Sequence, residues 1–237
     1  MFQIKIAGLV IGIDNKHRYV SRLCEKYKVK GEKEDFRVSA TKQEIQKEGA
    51  GSPGWFSRPY CESLCIYRTI CLKLIEYDAF LMHSAALALD GEAYIFAAKS
   101  GVGKTTHVRL WMQEFGERVQ VVNGDKPVYR FIDGRLHVCG TPWRGKEGLG
   151  SNIIVPVKAI CFLERSKDNT IRPMEAGEII GRIFHQLLMP KEEEAMNRFM
   201  DMIDRVISDV PCYLLRCNKE REAVEVAYQG GWNIPAR

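Results

Sequence analysis

The sequence has no run long and apolar enough to span a membrane as a helix, which excludes a helical membrane protein. It has no closely paired cysteines of the kind that hold zinc. The eight cysteines (Cys24, Cys61, Cys65, Cys71, Cys139, Cys161, Cys212 and Cys217) are scattered, most of them through apolar patterns. They read as buried free thiols of a reducing compartment. No Lys/Arg stripe interleaved with aromatics is present, so nucleic acid is not an expected partner. The formal charge of +5, from 35 basic and 30 acidic residues, is too mild an excess to name a partner. There is no internal repeat and no low-complexity tract. Met1 to Ile6 alternates like a strand and does not resemble a signal sequence. The expectation is a cytoplasmic protein with no membrane partner. At 237 residues it fits one large domain, or a catalytic domain with a small appendage.

What is present is one strong motif. Glu92 to Phe96 is an apolar run of strand type, and His107 to Met112 continues as a helix. Between them lies Ala97-Ala98-Lys99-Ser100-Gly101-Val102-Gly103-Lys104-Thr105-Thr106. Strand, glycine-rich turn, helix is the context of a phosphate-binding loop. Gly101 and Gly103 let the backbone curl around an anion, and the free N–H groups at the helix start favour negative charge. Lys104 would reach the outer phosphates and Thr105 would offer its hydroxyl to magnesium. The usual first glycine is replaced by Ala98, which is small enough to serve where positive φ is not needed. The expected nucleotide-binding set is Ala98, Lys99, Ser100, Gly101, Val102, Gly103, Lys104, Thr105 and Thr106, with Lys146 from a later loop.

The strand Val119–Val122 ends at Asn123-Gly124-Asp125-Lys126. A carboxylate at the end of a neighbouring strand meets the metal in phosphate-loop enzymes, and Asp125 fits that role; its alternative is a plain turn residue. Gly140 to Gly150 carries four glycines, a proline, Arg144, Lys146 and Glu147, the composition of an active-site lid. Arg144 and Lys146 would neutralise a transferring phosphoryl group, or are solvated loop charges.

The remaining chain reads as follows. Residues 2–13 form one or two strands, 19–27 a short helix or a strand pair, and 36–38 a strand. Thr41 caps a helix to Glu48, with Glu44 three positions on, and a loop runs from Gly49 to Pro53. A helix after Pro59 presents Leu64, Tyr67, Cys71 and Leu74. Phe80–Leu89 and Glu92–Ala98 form a hairpin about Asp90-Gly91, with His83 on its first arm. Residues 127–131 and 136–139 form a second hairpin. Residues 153–163 form two strands divided at Pro156, and 171–173 an edge. Helices follow at 175–188 and from Pro190 to about Ile207, then a strand at 212–217, a helix at 220–228 and a frayed tail with Pro235.

These residues resemble the kinase core shared by HPr kinase/phosphorylase and ATP-dependent phosphoenolpyruvate carboxykinase. Both families place a His before the phosphate-loop strand, as in Leu81-Met82-His83-Ser84-Ala85, and both carry the loop matched by Ser100 to Thr105. The chain resembles most the small HPr-kinase-like proteins of bacteria, matched at 103–111, 125–127 and 140–146. The resemblance is specific over about 80–165. It implies a mixed α/β fold, a P-loop kinase core with mixed sheets and flanking helices. The small β-rich N-terminal region would be 1–75 and the catalytic core 76–237. It implies that Lys104 holds the β and γ phosphates, and that Thr105, Asp125 and His83 ligate magnesium, or manganese. Otherwise His83 would be a satisfied core histidine. Lys104, Asp125, His83 and Arg144 are the expected catalytic residues.

The families end that strand in an Asp-Asp pair, and Gly124 replaces the first Asp, the proposed base. Either Asp125 does both jobs, or His83 or Glu147 supplies the base, or catalysis is weak or lost. The expected function is an ATP-dependent (or other nucleoside-triphosphate-dependent), magnesium-requiring kinase. Its acceptor would be a hydroxyl on a small molecule, peptide or protein serine, taken up by the N-terminal region and the 140–150 loop. The alternative is a nucleotide-binding sensor or partner protein without turnover. HPr kinases assemble as hexamers, so a homo-oligomer is among the expectations.

Overall fold

In the computed structural model, which describes residues 1–52, 54 and 56–231, the apolar alternation of the first residues folds back on itself. Strands β1 (Phe2–Ile6) and β2 (Leu9–Asp14) pair antiparallel across a turn at Ala7-Gly8, whose φ angles are 54° and 80°. Strands β3 (Lys28–Val29) and β4 (Phe36–Ser39) complete a four-stranded sheet in the order β3-β1-β2-β4. The ambiguous stretch after the turn is helical, as α1 (Arg18–Leu23) and a 3-10 turn at Glu25–Tyr27. Helix α2 (Lys42–Ala50) starts where the sequence places its cap. The Thr41 hydroxyl accepts from the Glu44 N–H at 3.1 Å, and the Glu44 carboxylate accepts from the Thr41 N–H at 2.7 Å. The helix consumes the start of the expected loop, and Pro53 lies outside the described residues. Helix α3 (Arg58–Lys73) takes Ser57 as its cap and Pro59 in its first turn, where the missing N–H costs nothing. Its inner face packs Ile66 and Ile70 on Ile4, Ile11 and Ile13 of the small sheet, and the same cluster takes in Ala79, Val128, Cys139 and Trp143 from later in the chain.

The later strands form one nine-stranded sheet. They are β5 (Ala79–Leu81), β6 (Ser84–Leu89), β7 (Glu92–Ala97), β8 (Val119–Asn123), β9 (Val128–Ile132), β10 (Arg135–Cys139), β11 (Ile154–Arg165), β12 (Thr170–Pro173) and β13 (Cys212–Cys217). The order is β5-β9-β10-β11-β7-β6-β8, with β13 also on β11 and β12 beside β13. The hairpin about Asp90-Gly91 forms in the expected register, Leu89 opposite Glu92. Its first arm is not one strand: β5 pairs with β9, and the chain steps at Met82-His83 before β6 joins β7. Nor does Pro156 divide a strand. Pairing of β11 with β7 begins only at Val157, so Pro156 stands where that side of the strand is still open and no ladder N–H is required.

Helix α4 (Lys104–Phe115) follows β7, and α7 (Glu222–Gly231) lies beside it. Helix α5 (Ala176–Ile183) is shorter than expected. It passes into a 3-10 turn at Phe184–Gln186, and Leu187 is extended so that it bridges to Met82. Helix α6 (Glu193–Asp209) begins three residues beyond Pro190. Side chains of β7 alternate between two cores: Ile95 and Ala97 pack with Ile179, Ile183 and Phe199, while Tyr94 and Phe96 pack with Trp111 and Val224. A strand buried on both faces reads as a continuous apolar run, as 92–97 does. The architecture is mixed α/β. All eight cysteines are free thiols, seven of them buried. No helix among the described residues is long and apolar enough to cross a membrane. The tail from residue 232, including Pro235, lies outside the described residues.

Candidate functional site

Three parallel strands, β7, β11 and β13, end at the same edge of the large sheet, and the glycine loop leaves β7 there. Gly101 has φ 80° and Gly103, the residue that caps α4, has φ 134°, both in the region that favours glycine. Ala98 is not among the residues at positive φ, which removes the objection to alanine at that position. Lys104 is the first residue of α4 and is buried. Its Nζ donates to the Ala98 carbonyl at 2.8 Å, so the side chain lies back across the loop. Burial pulls its pKa below the ordinary lysine value, and the nearby Asp125 charge opposes that shift. Thr105 and Thr106 follow in the same turn, half-buried. Arg165, from the end of β11, donates to the carbonyls of Gly101 and Val102, the latter at 3.1 Å, and clasps the loop from outside.

Asp125 reaches this edge from β8, two strands from β7 with β6 between them, and not from an adjacent strand. His83 stands directly before β6, and its Nε2 lies 3.0 Å from Asp125 Oδ1. The Lys126 ammonium sits 2.7 Å from the other oxygen. Burial alone would raise the Asp125 pKa, but the hydrogen bonds from His83 and Lys126, with the Lys126 charge, outweigh it and hold the carboxyl far below its usual range. The turn that aims Asp125 is made by Asn123, which is fully buried. Its Oδ1 accepts the N–H groups of Asp125 (2.9 Å) and Lys126 (2.8 Å), and its Nδ2 donates to Thr141 Oγ1 (2.9 Å).

Gln186 ties the two halves together. Its carbonyl accepts the His83 N–H at 2.7 Å, and its amide, oriented with nitrogen toward two carbonyls, donates to His83 O and Ala98 O at 3.2 Å each. It lines a cavity of about 930 Å³ between the loop and α5, walled also by Lys99, Ser100, Arg165, Arg182 and His185.

The 140–150 loop is not the free lid that its composition suggests. Trp143 is buried, stacks on Tyr67 at 4.1 Å and donates to the Ser63 carbonyl. Thr141 Oγ1 donates to Lys126 O, and the Gly124 and Ser151 N–H groups donate to Leu149 O and Val122 O. Only the tip, 145–148, is exposed. Arg144 turns onto its own loop, donating to Gly150 O at 3.1 Å. Glu147 pairs with Arg109 of α4, and Lys146 is on the exposed tip. Gly145 lies against Asp125: a Cβ there would meet Asp125 Cβ at 2.8 Å.

The structure therefore brings Lys104, His83 and Asp125 to the loop and turns Arg144 and Glu147 to other partners. The sequence reading overlooked Asn123, Gln186 and Arg165. Only Asn123 leaves a local signal, a strand-ending Asn before Gly, which favours an Asx turn. Among the described residues no cluster of three or more His, Cys, Asp or Glu is placed to hold a metal by itself. Asp125 and Thr105 supply a carboxylate and a hydroxyl, oxygen donors of the kind magnesium takes.

No curated protein matches the chain. Among solved structures it is similar to the HPr(Ser) kinase/phosphatase from Coxiella burnetii, with 11% identity, 63% of this chain and 91% of that chain covered, and a TM-score of 0.37. Residues 62–225 match the family described as SynChlorMet cassette protein ScmC, more than half the chain, and the protein belongs to the ScmC family.

Proposed function

We propose that the chain is a magnesium-requiring, ATP-dependent kinase that transfers the terminal phosphoryl group to a hydroxyl acceptor. The observation that carries this reading is the buried Lys104 at a glycine-loop helix start, with the Asp125–His83 pair close enough for its charge to act on that lysine. Loop N–H groups and Lys104 would bind the phosphates, the latter by exchanging the Ala98 carbonyl for a phosphate oxygen. Thr105 and Asp125 would hold magnesium, which when bound offsets charge on the phosphates. The expected third ligand, His83, has Nε2 engaged with Asp125.

Asp125 is held ionised and so is a poor proton acceptor, which narrows the choice of base. With His83 Nε2 donating to Asp125, Nδ1 is the ring's acceptor. The acceptor hydroxyl attacks the terminal phosphorus, the bond from that phosphorus to the bridging oxygen breaks, and the hydroxyl proton passes to His83 Nδ1. A loose phosphoryl-transfer transition state asks little of this base, so Gly124 in place of a carboxylate is compatible with turnover. The large cavity between the glycine loop and α5 would receive the acceptor. Residues 76–237 would form the catalytic core and 1–75 the appended region.

Isothermal titration with ATP and magnesium tests the site: native protein is expected to bind and Lys104→Ala to bind at least about tenfold more weakly. Identical behaviour of the two proteins would sink the assignment. Gly124 favours a second reading, a nucleotide-binding sensor without turnover. Phosphoryl transfer or ATP hydrolysis seen only in Gly124→Asp would decide for it.

A further inference from the structure

Lys104 and Gln186 donate to the same atom. The Ala98 carbonyl accepts from Lys104 Nζ at 2.8 Å and from the Gln186 amide at 3.2 Å. One donor opens α4 and the other closes the 3-10 turn after α5. We propose that Gln186 is a positioning residue for Lys104: it keeps the Ala98 carbonyl hydrogen-bonded when Lys104 turns from it to a phosphate, and so lowers the cost of that exchange. The proposal rests on the nucleotide-binding reading above and adds to it the residue that frees the lysine.

Three observations carry it. The first is capacity. A carbonyl oxygen has two lone pairs, so both donors are held at once. Ala98, Lys104 and Gln186 are all buried. A buried carbonyl stripped of its donors is costly, and one that keeps a second donor escapes most of that cost. The second is the orientation of the amide. With its nitrogen toward His83 O and Ala98 O, Gln186 donates to both; turned over, its oxygen would face two carbonyl oxygens. The third is that Gln186 holds its place without Lys104. Its main-chain carbonyl accepts the His83 N–H at 2.7 Å, Leu187 bridges to Met82, and the Leu188 N–H donates to Leu81 O at 3.4 Å. Residues 186–188 are therefore laced along 81–83 by backbone bonds that the lysine does not share. Lys104 Nζ, by contrast, has the Ala98 carbonyl as its one hydrogen-bond partner among the described residues, and a single bond is all that it exchanges.

The test is a double-mutant cycle on the full chain, read by isothermal titration with magnesium ATP. Gln186→Met removes the amide and keeps the length of the side chain. In this variant Lys104 can leave only by stripping the Ala98 carbonyl, so ATP should bind about tenfold more weakly than to native protein. The lost bond to His83 O is absent with and without ATP and cancels in the affinity. In Lys104→Ala there is no exchange to ease, and adding Gln186→Met should change the affinity by less than about twofold. A side chain that merely braces the loop would weaken ATP by the same factor in both backgrounds. That result, or native affinity in Gln186→Met, would overturn the proposal while leaving the loop assignment intact. Melting without ligand identifies a variant that fails to fold, and Gln186→Leu then takes its place. Should neither fold, or Lys104→Ala bind too weakly to measure, a structure of native protein with magnesium and a nonhydrolysable ATP analogue decides. Lys104 Nζ on a phosphate oxygen, with the Gln186 amide still on Ala98 O, is the expected result; Ala98 O without a donor, or Lys104 unmoved, would overturn the proposal. If native protein binds no ATP, or Lys104→Ala binds it equally well, the loop assignment itself has failed and this proposal falls with it.

Discussion

Asn123→Ala is the perturbation that separates the turn from the carboxylate it aims. Asn123 is completely buried and makes hydrogen bonds in both directions. Its oxygen accepts two backbone N–H groups, at 2.9 and 2.8 Å, and its nitrogen faces Thr141 Oγ1 at 2.9 Å, Thr141 O at 3.2 Å and Trp143 O at 3.3 Å. Alanine removes all of these at once. Each net hydrogen bond is worth about 1 kcal/mol, and a partner left unpaired in a buried place costs more. The Asp125 and Lys126 N–H groups lie at half-buried residues where water gives partial relief, and Thr141 keeps its bond to Lys126 O. The expected loss is therefore about 2–4 kcal/mol, a large fraction of the stability of an ordinary domain. Urea unfolding reads this as a lower midpoint with an unchanged slope. Magnesium ATP affinity should fall in parallel under conditions where the variant is fully folded, because Asp125 loses its fixed direction. A stability change below about 0.5 kcal/mol, the usual size of a surface substitution, would refute the turn's role. A folded variant with native affinity would refute the link from turn to site.

Three further outcomes follow from the same geometry. Asp125→Asn should lower stability at pH 7 and flatten the acid limb of the stability curve. The native carboxyl has its pKa depressed below 3.8, so its contribution is complete above about pH 5 and is lost as the pH falls through 4 toward the folded value; urea midpoints at pH 7, 4 and 3 that shift equally in both proteins would contradict this. Gly124→Asp should fold with a change within about 1 kcal/mol, since a Cβ there meets Leu149 O at 3.4 Å and Leu149 Cβ at 3.5 Å and Gly124 is not at positive φ; thermal melting checks it. Gly140→Ala should cost at least about 2 kcal/mol, because its Cβ would stand 1.8 Å from the Ser151 carbonyl oxygen, part of the backbone that returns the 140–150 loop to the sheet; a native-like melting temperature would show that the loop is less tightly tied than its hydrogen bonds indicate.

Local chemistry made part of this protein readable. The capping box at Thr41 and Glu44, the turn at Asp90-Gly91 and the glycine loop before Lys104 each depend on residues a few positions apart, and each forms where the sequence places it. Tertiary structure overrode the local pattern elsewhere. Residues 80–89 alternate like one strand, yet Met82 leaves the hairpin to meet Leu187, more than a hundred residues away. Pro156 reads as a break, yet the missing N–H falls where β11 has no partner on the β7 side. The glycines of 140–150 read as a mobile lid, and buried Trp143 with its stacking on Tyr67 ties the segment down.

By itself, the sequence determined which groups are available for chemistry: the loop with its lysine, the hydroxyl of Thr105, the carboxylate of Asp125 and the imidazole of His83. It did so because glycine conformations, helix starts and strand ends are set within a few residues. Only the tertiary structure decided which of these meet. Asp125 comes within reach of His83 and Lys104 because β6 lies between β7 and β8, and its aim depends on Asn123 and on the loop that returns to cover it. Gln186 joins them from a helix end nearly a hundred residues along, through hydrogen bonds that no sequence spacing encodes.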